Sequence, residues 1–170
     1  APTLEQLQPI TVHTDPLNMY IGNPELDQAF RHSFNITYSS WNALKERNIW
    51  GGMRLNLTQN AFTQFSTIDS VGRRVYQTVN VDGIYNFNVN IDYGMKLPDT
   101  QWRLGFGPNL NINRNIDFVR DQKTNETVKN KTDTRSDRMR INIGQYVKDK
   151  YNFHLGPSLT WNSSKTSANS

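Results

Sequence analysis

The chain of 170 residues has no cysteine, only three histidines and no long apolar run. The lack of cysteine excludes a disulfide framework and thiolate metal sites. His13, His32 and His154 are far apart and form neither an HxH nor an HExxH motif, so a zinc site lacks its usual ligands. No GxSxG motif offers a nucleophile. We therefore expect no enzyme activity and no cofactor.

No stretch reaches the ~18 apolar residues of a membrane-spanning helix, and the mean hydropathy is -0.72. This value does not exclude membrane-spanning strands, because a strand with alternating faces averages to a polar score even when one face contacts lipid. The net charge is +4, but lysine and arginine are scattered along the chain. Binding to nucleic acid is not expected, since its usual signature is a basic cluster on one face.

What the chain does have is a repeated two-residue alternation of apolar and polar residues. Between positions 85 and 97 the odd positions are large and apolar: Tyr85, Phe87, Val89, Ile91, Tyr93, Met95 and Leu97. The same alternation returns over 102–113 and 151–162. It predicts long β-strands with one apolar and one polar face. The polar positions are mostly Asn, Gly and Ser with occasional Arg, which suits a hydrated lumen better than the surface of a soluble sheet.

We predict an all-β chain, an antiparallel meander of long hairpins that forms a segment of a large outer-membrane β-barrel. The expected strands are 29–41, 48–60, 83–97, 101–115, 136–146 and 150–163, with weaker ones at 63–68 and 74–81. Residues 1–170 form one β-domain, in which 1–28 is an irregular lead-in and 29–165 carries the hairpin strands. Short turns alternate with the long excursions 61–83 and 116–134, as expected for periplasmic turns and external loops. The second excursion is charged and lacks periodicity.

Aromatic residues near the predicted strand ends suggest an interfacial girdle, as barrels have at both membrane surfaces. The residues are Trp41, Trp50, Tyr85, Trp102, Tyr146, Tyr151 and Trp161.

Ligand contacts are expected on the two long excursions and on four arginines of the predicted polar faces, because long loops vary without disturbing the strands. The arginines are Arg54, Arg103, Arg138 and Arg140. A guanidinium group binds carboxylate or phosphate with two parallel hydrogen bonds. These groups therefore bind the solute or pair with acids of a plug, and the second role is slightly favoured.

The N-terminal part resembles a known family. Its matching segments are 1–9, Asp15-Pro16-Leu17-Asn18 and Tyr20-Ile21-Gly22-Asn23-Pro24-Glu25-Leu26. They resemble the barrel portion of TonB-dependent outer-membrane receptors, in the outer-membrane protein β-barrel family, where a Gly-Asn-Pro-x-Leu motif precedes a strand. That family commonly continues with Lys-Pro-Glu, whereas this chain has Asp27-Gln28-Ala29.

The resemblance implies part of the transmembrane wall of a receptor that takes up a bulky solute, such as a glycan, siderophore or peptide, in the outer membrane of a Gram-negative cell. The implied partners are outer-membrane lipid, a plug domain, the remaining barrel strands and a periplasmic energy-coupling protein.

Receptors of this kind have about 22 strands around a plugged lumen, far more than this chain supplies. We therefore expect an internal fragment of a larger barrel, which associates through its open edges when isolated. One alternative is a closed small β-barrel or sandwich that is soluble and binds a small apolar ligand. Another is a complete eight-stranded membrane barrel that uses both weak strands. The direction of the apolar side chains separates the first two: outward in a membrane wall, inward in a soluble barrel.

Overall fold

The computed structural model describes residues 1–8, 11–15, 17–120 and 127–167. The chain is almost entirely β-structure, as predicted. Its elements are α1 (Leu4–Leu7), β1 (Thr11–Asp15), β2 (Asn18–Ile21), β3 (Phe30–Asn42), β4 (Arg47–Gln59), β5 (Ala61–Ile68), β6 (Arg74–Val81), β7 (Ile84–Lys96), β8 (Trp102–Arg120), β9 (Thr127–Val147), β10 (Tyr151–Leu155) and β11 (Ser158–Thr166). No helix among the described residues has the length and apolarity to cross a membrane.

The large sheet is a meander of hairpins in the order β10-β9-β8-β7-β4-β3, with β11 also paired to β9. All its pairings are antiparallel. Short turns close three of the hairpins, and each contains one residue with a left-handed backbone: Glu46 (φ 42°), Asp99 (φ 57°) and Asp149 (φ 58°). Asp tolerates this conformation better than most residues. The predicted antiparallel meander is confirmed.

The last predicted strand, 150–163, is divided into β10 and β11. Between them lies Gly156-Pro157, and proline has no N–H to donate to the neighbouring strand. The carbonyl of Pro157 still accepts from the N–H of Ile141 on β9, at 3.0 Å. Both pieces therefore lie along the same edge of the sheet.

The strand register separates the apolar from the polar positions. Val89 on β7 lies opposite Met53 on β4 and Leu110 on β8. One residue earlier, Asn88 lies opposite Arg54 and Asn111. Ile143 on β9 lies opposite Leu104 and Leu155, and Met139 lies opposite Leu159, so the predicted apolar positions of these strands share one face. Asn109 and Asn152 have the other parity, which confirms the predicted polar face.

The apolar face of the large sheet is exposed. Phe34, Ile36 and Leu159 are 55%, 60% and 63% exposed. Within the described residues, the only buried apolar side chains are Leu26, Ala61, Val81 and Ile116. The edge strand β3 does not pair with β10 or β11, so the described sheet is open. The closed soluble barrel or sandwich is therefore wrong, because its apolar side chains would fill an interior.

A second, small sheet has the order β1-β2-β6-β5. Its pair β2–β6 is parallel, and the other two pairs are antiparallel. The lead-in 1–28, predicted to be irregular, therefore contributes a one-turn helix and two strands. The weak strands β5 and β6 join this sheet and not the wall, so the complete eight-stranded barrel is also wrong. β2 has the sequence Asn-Met-Tyr-Ile, with three successive apolar residues and no alternation, so the two-residue pattern does not identify it.

The predicted excursion 116–134 is mostly strand, which corrects the sequence-based assignment. β8 continues to Arg120 and β9 begins at Thr127, while residues 121–126 lie outside the described part of the chain. Polar cross-strand pairs replace apolar ones here: Arg114 Nε donates to Asp133 Oδ1 at 2.6 Å, and Asn130 Nδ2 donates to Asp117 Oδ1 at 2.9 Å. Such pairs stabilise a strand without an apolar period.

The small core lies where β5 and β6 meet the extension of β8. Ala61, Val81 and Ile116 are buried together, with Ile84 and Phe118 packed against them. The rings of Phe65 and Phe118 meet edge to face with centroids 5.3 Å apart. This core holds the small sheet at one end of the large sheet, which we call the long-loop end. The three short turns lie at the opposite, short-turn end.

Candidate functional site

All four arginines singled out from the sequence lie on the polar face of the large sheet. Arg54 is opposite Asn88, and Arg103 is opposite Gly144. Arg138 and Arg140 follow each other on this face of β9, opposite Asn109 and Gly107. The register thus brings them to one surface, although they come from three strands.

Arg103 has an acidic partner in the wall. Its Nη2 lies 3.5 Å from Glu46 Oε2, while Lys96 Nζ lies 2.6 Å from Glu46 Oε1. Glu46 belongs to the turn between β3 and β4, so one carboxylate joins two hairpins at the short-turn end. Because these side chains are well exposed, the contribution to stability is small.

Arg140 also has an acidic partner in the wall, reached across a strand. Its Nη2 lies 2.6 Å from Asp92 Oδ1 on β7, and β8 runs between the two residues. Gly107 on β8 makes room for the contact, because a Cβ there would lie 2.9 Å from Asp92 Oδ1 and 3.3 Å from Arg140 Nη2. The sequence suggested solute or plug acids as the partners of Arg103 and Arg140, whereas the structure gives Arg103 a carboxylate of a turn, Glu46, and Arg140 one of β7, Asp92.

Arg54 and Arg138 have only neutral partners among the described residues. Arg54 Nε donates to Asn35 Oδ1 at 2.8 Å, and Arg138 Nε donates to Thr160 Oγ1 at 3.3 Å. Neither guanidinium forms an ion pair in the described part of the chain. These two arginines therefore carry the uncompensated positive charge of the central polar face.

Four asparagines of β7 and β8 lie between these two arginines, and we call them the asparagine field. They are Asn88, Asn90, Asn109 and Asn111. Asn88 Nδ2 donates to the carbonyl of Leu110 at 3.4 Å, and Asn109 Nδ2 donates to that of Val89 at 3.3 Å. A carboxamide has two N–H donors and a carbonyl acceptor, so these bonds hold the side chains and leave capacity for a ligand.

A cleft of about 370 Å³ opens beside the asparagine field. Its lining includes Trp50, Gly52, Arg54, Asn88, Asn90 and Asn109. A Cβ on Gly52 would lie 3.4 Å from Cη2 of the Trp50 indole, so the ring lies against the bare backbone of β4. The cleft combines an aromatic ring, amides and a guanidinium group.

The predicted girdle is partly wrong, because Trp50, Trp41 and Tyr146 lie on the polar face. Trp50 is opposite Asp92, Trp41 opposite Asn48, and Tyr146 opposite Asn152. The signal was present in the sequence: Trp50 breaks the alternation of a strand whose apolar residues Ile49 and Met53 occupy odd positions. Its place near a strand end favours an interfacial aromatic, whereas its parity indicates the polar face.

The Gly-Asn-Pro-x-Leu motif joins α1 to the small sheet. Gly22 is buried, and a Cβ there would overlap the carbonyl oxygen of Gln8. The N–H of Asn23 donates to Gln6 O at 2.6 Å, and its Nδ2 donates to Thr78 O on β6 at 3.0 Å. Leu26 is buried at 8% exposure. The motif therefore has a structural role in this chain.

The long-loop end offers a second cavity of about 520 Å³, between α1 and the small sheet. Tyr20, Gln64, Tyr76 and Thr78 line its sheet side, and the hydroxyls of Tyr20 and Thr78 are 3.0 Å apart. Within the described residues, no group of three or more His, Cys, Asp or Glu side chains could hold a metal ion.

Asp69 orders the turn between β5 and β6. Its Oδ1 accepts from the N–H groups of Arg73 and Val71, at 2.8 and 2.9 Å, and its Oδ2 accepts from Arg73 Nε at 2.8 Å. The pKa of the Asp69 carboxyl is lowered, mainly by the hydrogen bond from the backbone N–H of Arg73. Desolvation acts in the opposite direction. The turn is therefore closed by a carboxylate that stays ionised at neutral pH.

An exposed apolar face, a polar face of amides and arginines, and short turns at one end define a membrane-barrel wall. The model of the outer membrane protein beta-barrel family matches residues 1–170, and the chain belongs to this family. Its large sheet is accordingly a segment of transmembrane barrel wall in an outer membrane. The chain has no significant match among the curated proteins or the solved structures with which it was compared.

Proposed function

We propose that this chain is part of the barrel wall of a receptor that takes up a bulky solute across the outer membrane of a Gram-negative cell. The main support is the two-faced large sheet: apolar side chains on the exposed outer face, and amides and unpaired arginines on the inner one. The Gly-Asn-Pro-x-Leu segment adds the resemblance to TonB-dependent receptors. The role is transport and not catalysis.

The open edges of the large sheet support a larger barrel. β3 and β10–β11 each expose one side of their backbone in the described structure, and barrels avoid such edges by closing. We propose that further strands continue the wall on both sides and that a plug domain fills the lumen. A periplasmic energy-coupling protein acts through that plug, and outer-membrane lipid covers the apolar face. Nucleic acid is not a proposed partner.

The same topology indicates which end of the barrel wall faces the outside of the cell. The short turns lie at one end, and the small sheet and the extended β8–β9 hairpin lie at the other. Outer-membrane barrels have short periplasmic turns and long external loops. We therefore place the small sheet outside the cell.

Cysteine labelling tests this orientation, because an introduced cysteine would be the only one within these 170 residues. In the full-length protein, Ser70→Cys lies in the turn of the small sheet and Lys148→Cys in a short turn, and both positions are exposed. A membrane-impermeant maleimide should label the first in intact cells and the second only after the outer membrane is permeabilised. Unsubstituted protein is the control. Labelling of Lys148→Cys alone in intact cells would contradict the proposed orientation.

The isolated 170-residue chain should associate in buffer without detergent. Its open edges and exposed apolar face favour pairing with further copies. Light scattering is expected to show large species that detergent micelles disperse into monomers. A homogeneous monomer without detergent would argue against an open membrane-wall segment.

A further inference from the structure

We propose that Trp50, Arg54 and Arg138, with the asparagine field between them, bind an acidic sugar unit of the transported solute. This inference rests on the proposed uptake function and names the class of solute.

The distribution of charge is the first reason. On the polar face, Glu46 partners Arg103 and Asp92 partners Arg140, at 3.5 and 2.6 Å. Neither Arg54 nor Arg138 forms an ion pair with an acidic side chain among the described residues. Because the low-dielectric walls of a lumen focus the field of unpaired charges, this face attracts an anion at these two positions.

The spacing is the second reason. Arg54 shares a row of facing residues with Asn88 and Asn111, and Arg138 shares the next row with Asn109 and Asn90. Arg54 is on β4 and Arg138 on β9, so three strand intervals, or about 14 Å across the sheet, separate them. The shift by one row adds two residues, or about 7 Å, along the strands. The asparagine field fills this interval. An elongated ligand can therefore contact both arginines and lie across the amides.

The types of side chain are the third reason. Carboxamides both donate and accept, as do sugar hydroxyls. A guanidinium group holds a carboxylate with two parallel bonds. The Trp50 indole, 40% exposed on the polar face, offers an apolar surface for the C–H face of a sugar ring. A uronic acid unit combines a carboxylate, several hydroxyls and an apolar ring face.

An acidic side chain of a plug could pair with the same arginines. It would use the charge, but it would not need an exposed indole or a surface of amides between the two guanidinium groups. The presence of an exposed indole and of amides between the two arginines therefore favours an acidic saccharide. The experiment below distinguishes saccharide binding from pairing with a plug.

The test uses the full-length protein in detergent, with trigalacturonate as the probe and neutral galactotriose as its comparison. Calorimetry should show tighter binding of trigalacturonate. Arg54→Gln and Arg138→Gln should each weaken it about tenfold or more, since hydrogen bonds to charged groups contribute about 1.5–3 kcal/mol. Trp50→Ala should weaken the binding of both saccharides.

Arg47→Gln is the matched control, because Arg47 is on the same strand as Arg54 but opposite Met95, with the parity of the other face. It makes the same change of charge and should leave binding unchanged. Heat-modifiable migration on gels checks that each variant is folded.

Two outcomes would overturn the inference while leaving the uptake function intact. The first is uptake of another solute by a protein that does not bind trigalacturonate. The second is unchanged trigalacturonate binding in Arg54→Gln and Arg138→Gln, together with a lower melting temperature of the plug, which would assign both arginines to plug pairing. A parent protein that takes up no solute would instead refute the proposed function.

Discussion

Replacing Gly22 with alanine should detach α1 from the small sheet and destabilise this unit by about 1–3 kcal/mol, the usual cost of overpacking. The added Cβ would overlap the carbonyl oxygen of Gln8 and come within 2.8 Å of its carbonyl carbon. These are backbone atoms, so a side-chain rotation cannot relieve the clash. The bond from Asn23 N–H to Gln6 O would be lost with the displacement.

Hydrogen–deuterium exchange of the full-length protein in detergent measures this effect. Faster exchange is expected over residues 17–26 and over β6, with the large sheet unaffected. Gly51→Ala is the matched control, because the nearest atom to its added Cβ is at 3.8 Å, an ordinary contact. Unchanged protection of residues 17–26 in Gly22→Ala would mean that the Gly-Asn-Pro-x-Leu segment is not held in this way.

Replacing Ile141 with arginine should prevent or strongly weaken insertion of the barrel, whereas replacing the next residue, Asn142, should not. Ile141 is on the apolar face, opposite Phe106, and is 45% exposed. An arginine on the lipid face near the middle of the bilayer costs about 2–4 kcal/mol. Asn142 lies opposite Gly105 on the polar face, where water solvates a guanidinium group.

The measurement is the folded fraction of each full-length variant in outer-membrane vesicles, read from heat-modifiable migration and from urea unfolding. The two variants add the same charge one residue apart, so a difference between them reports the face alone. Equal stability of Ile141→Arg and Asn142→Arg would be incompatible with lipid contact on the apolar face.

The wall strands could be predicted from the sequence because their information is local. An alternation of two residues sets both the extended conformation and the face of each side chain, and a slip by one residue would expose every apolar group of a strand to the lumen. The bounds of β6 match the prediction at both ends, and those of β3, β4 and β7 differ by one residue at each end. The extended ends of β8 and β9 were missed, since polar pairs there replace the apolar pattern.

The candidate site was only partly predictable. The parity of the four arginines in their strands predicts that they share one face. It does not predict which residues they pair with. The ion pair of Arg140 with Asp92 joins residues 48 positions apart in the chain, and it depends on Gly107 being the residue between them. No local pattern carries that information. The polar-face position of Trp50 follows from its parity, whereas its place near a strand end favours an interfacial aromatic.

The sequence by itself determined the all-β class, the two-faced strands, the order of the hairpins and the family resemblance, because each depends on neighbouring residues. Only the tertiary structure decided that the lead-in joins β5 and β6 in a separate sheet, because the parallel pair β2–β6 joins segments more than fifty residues apart. It also decided which arginines are neutralised by the wall. Ion pairs and sheet contacts depend on distances in space, which the folded chain alone establishes.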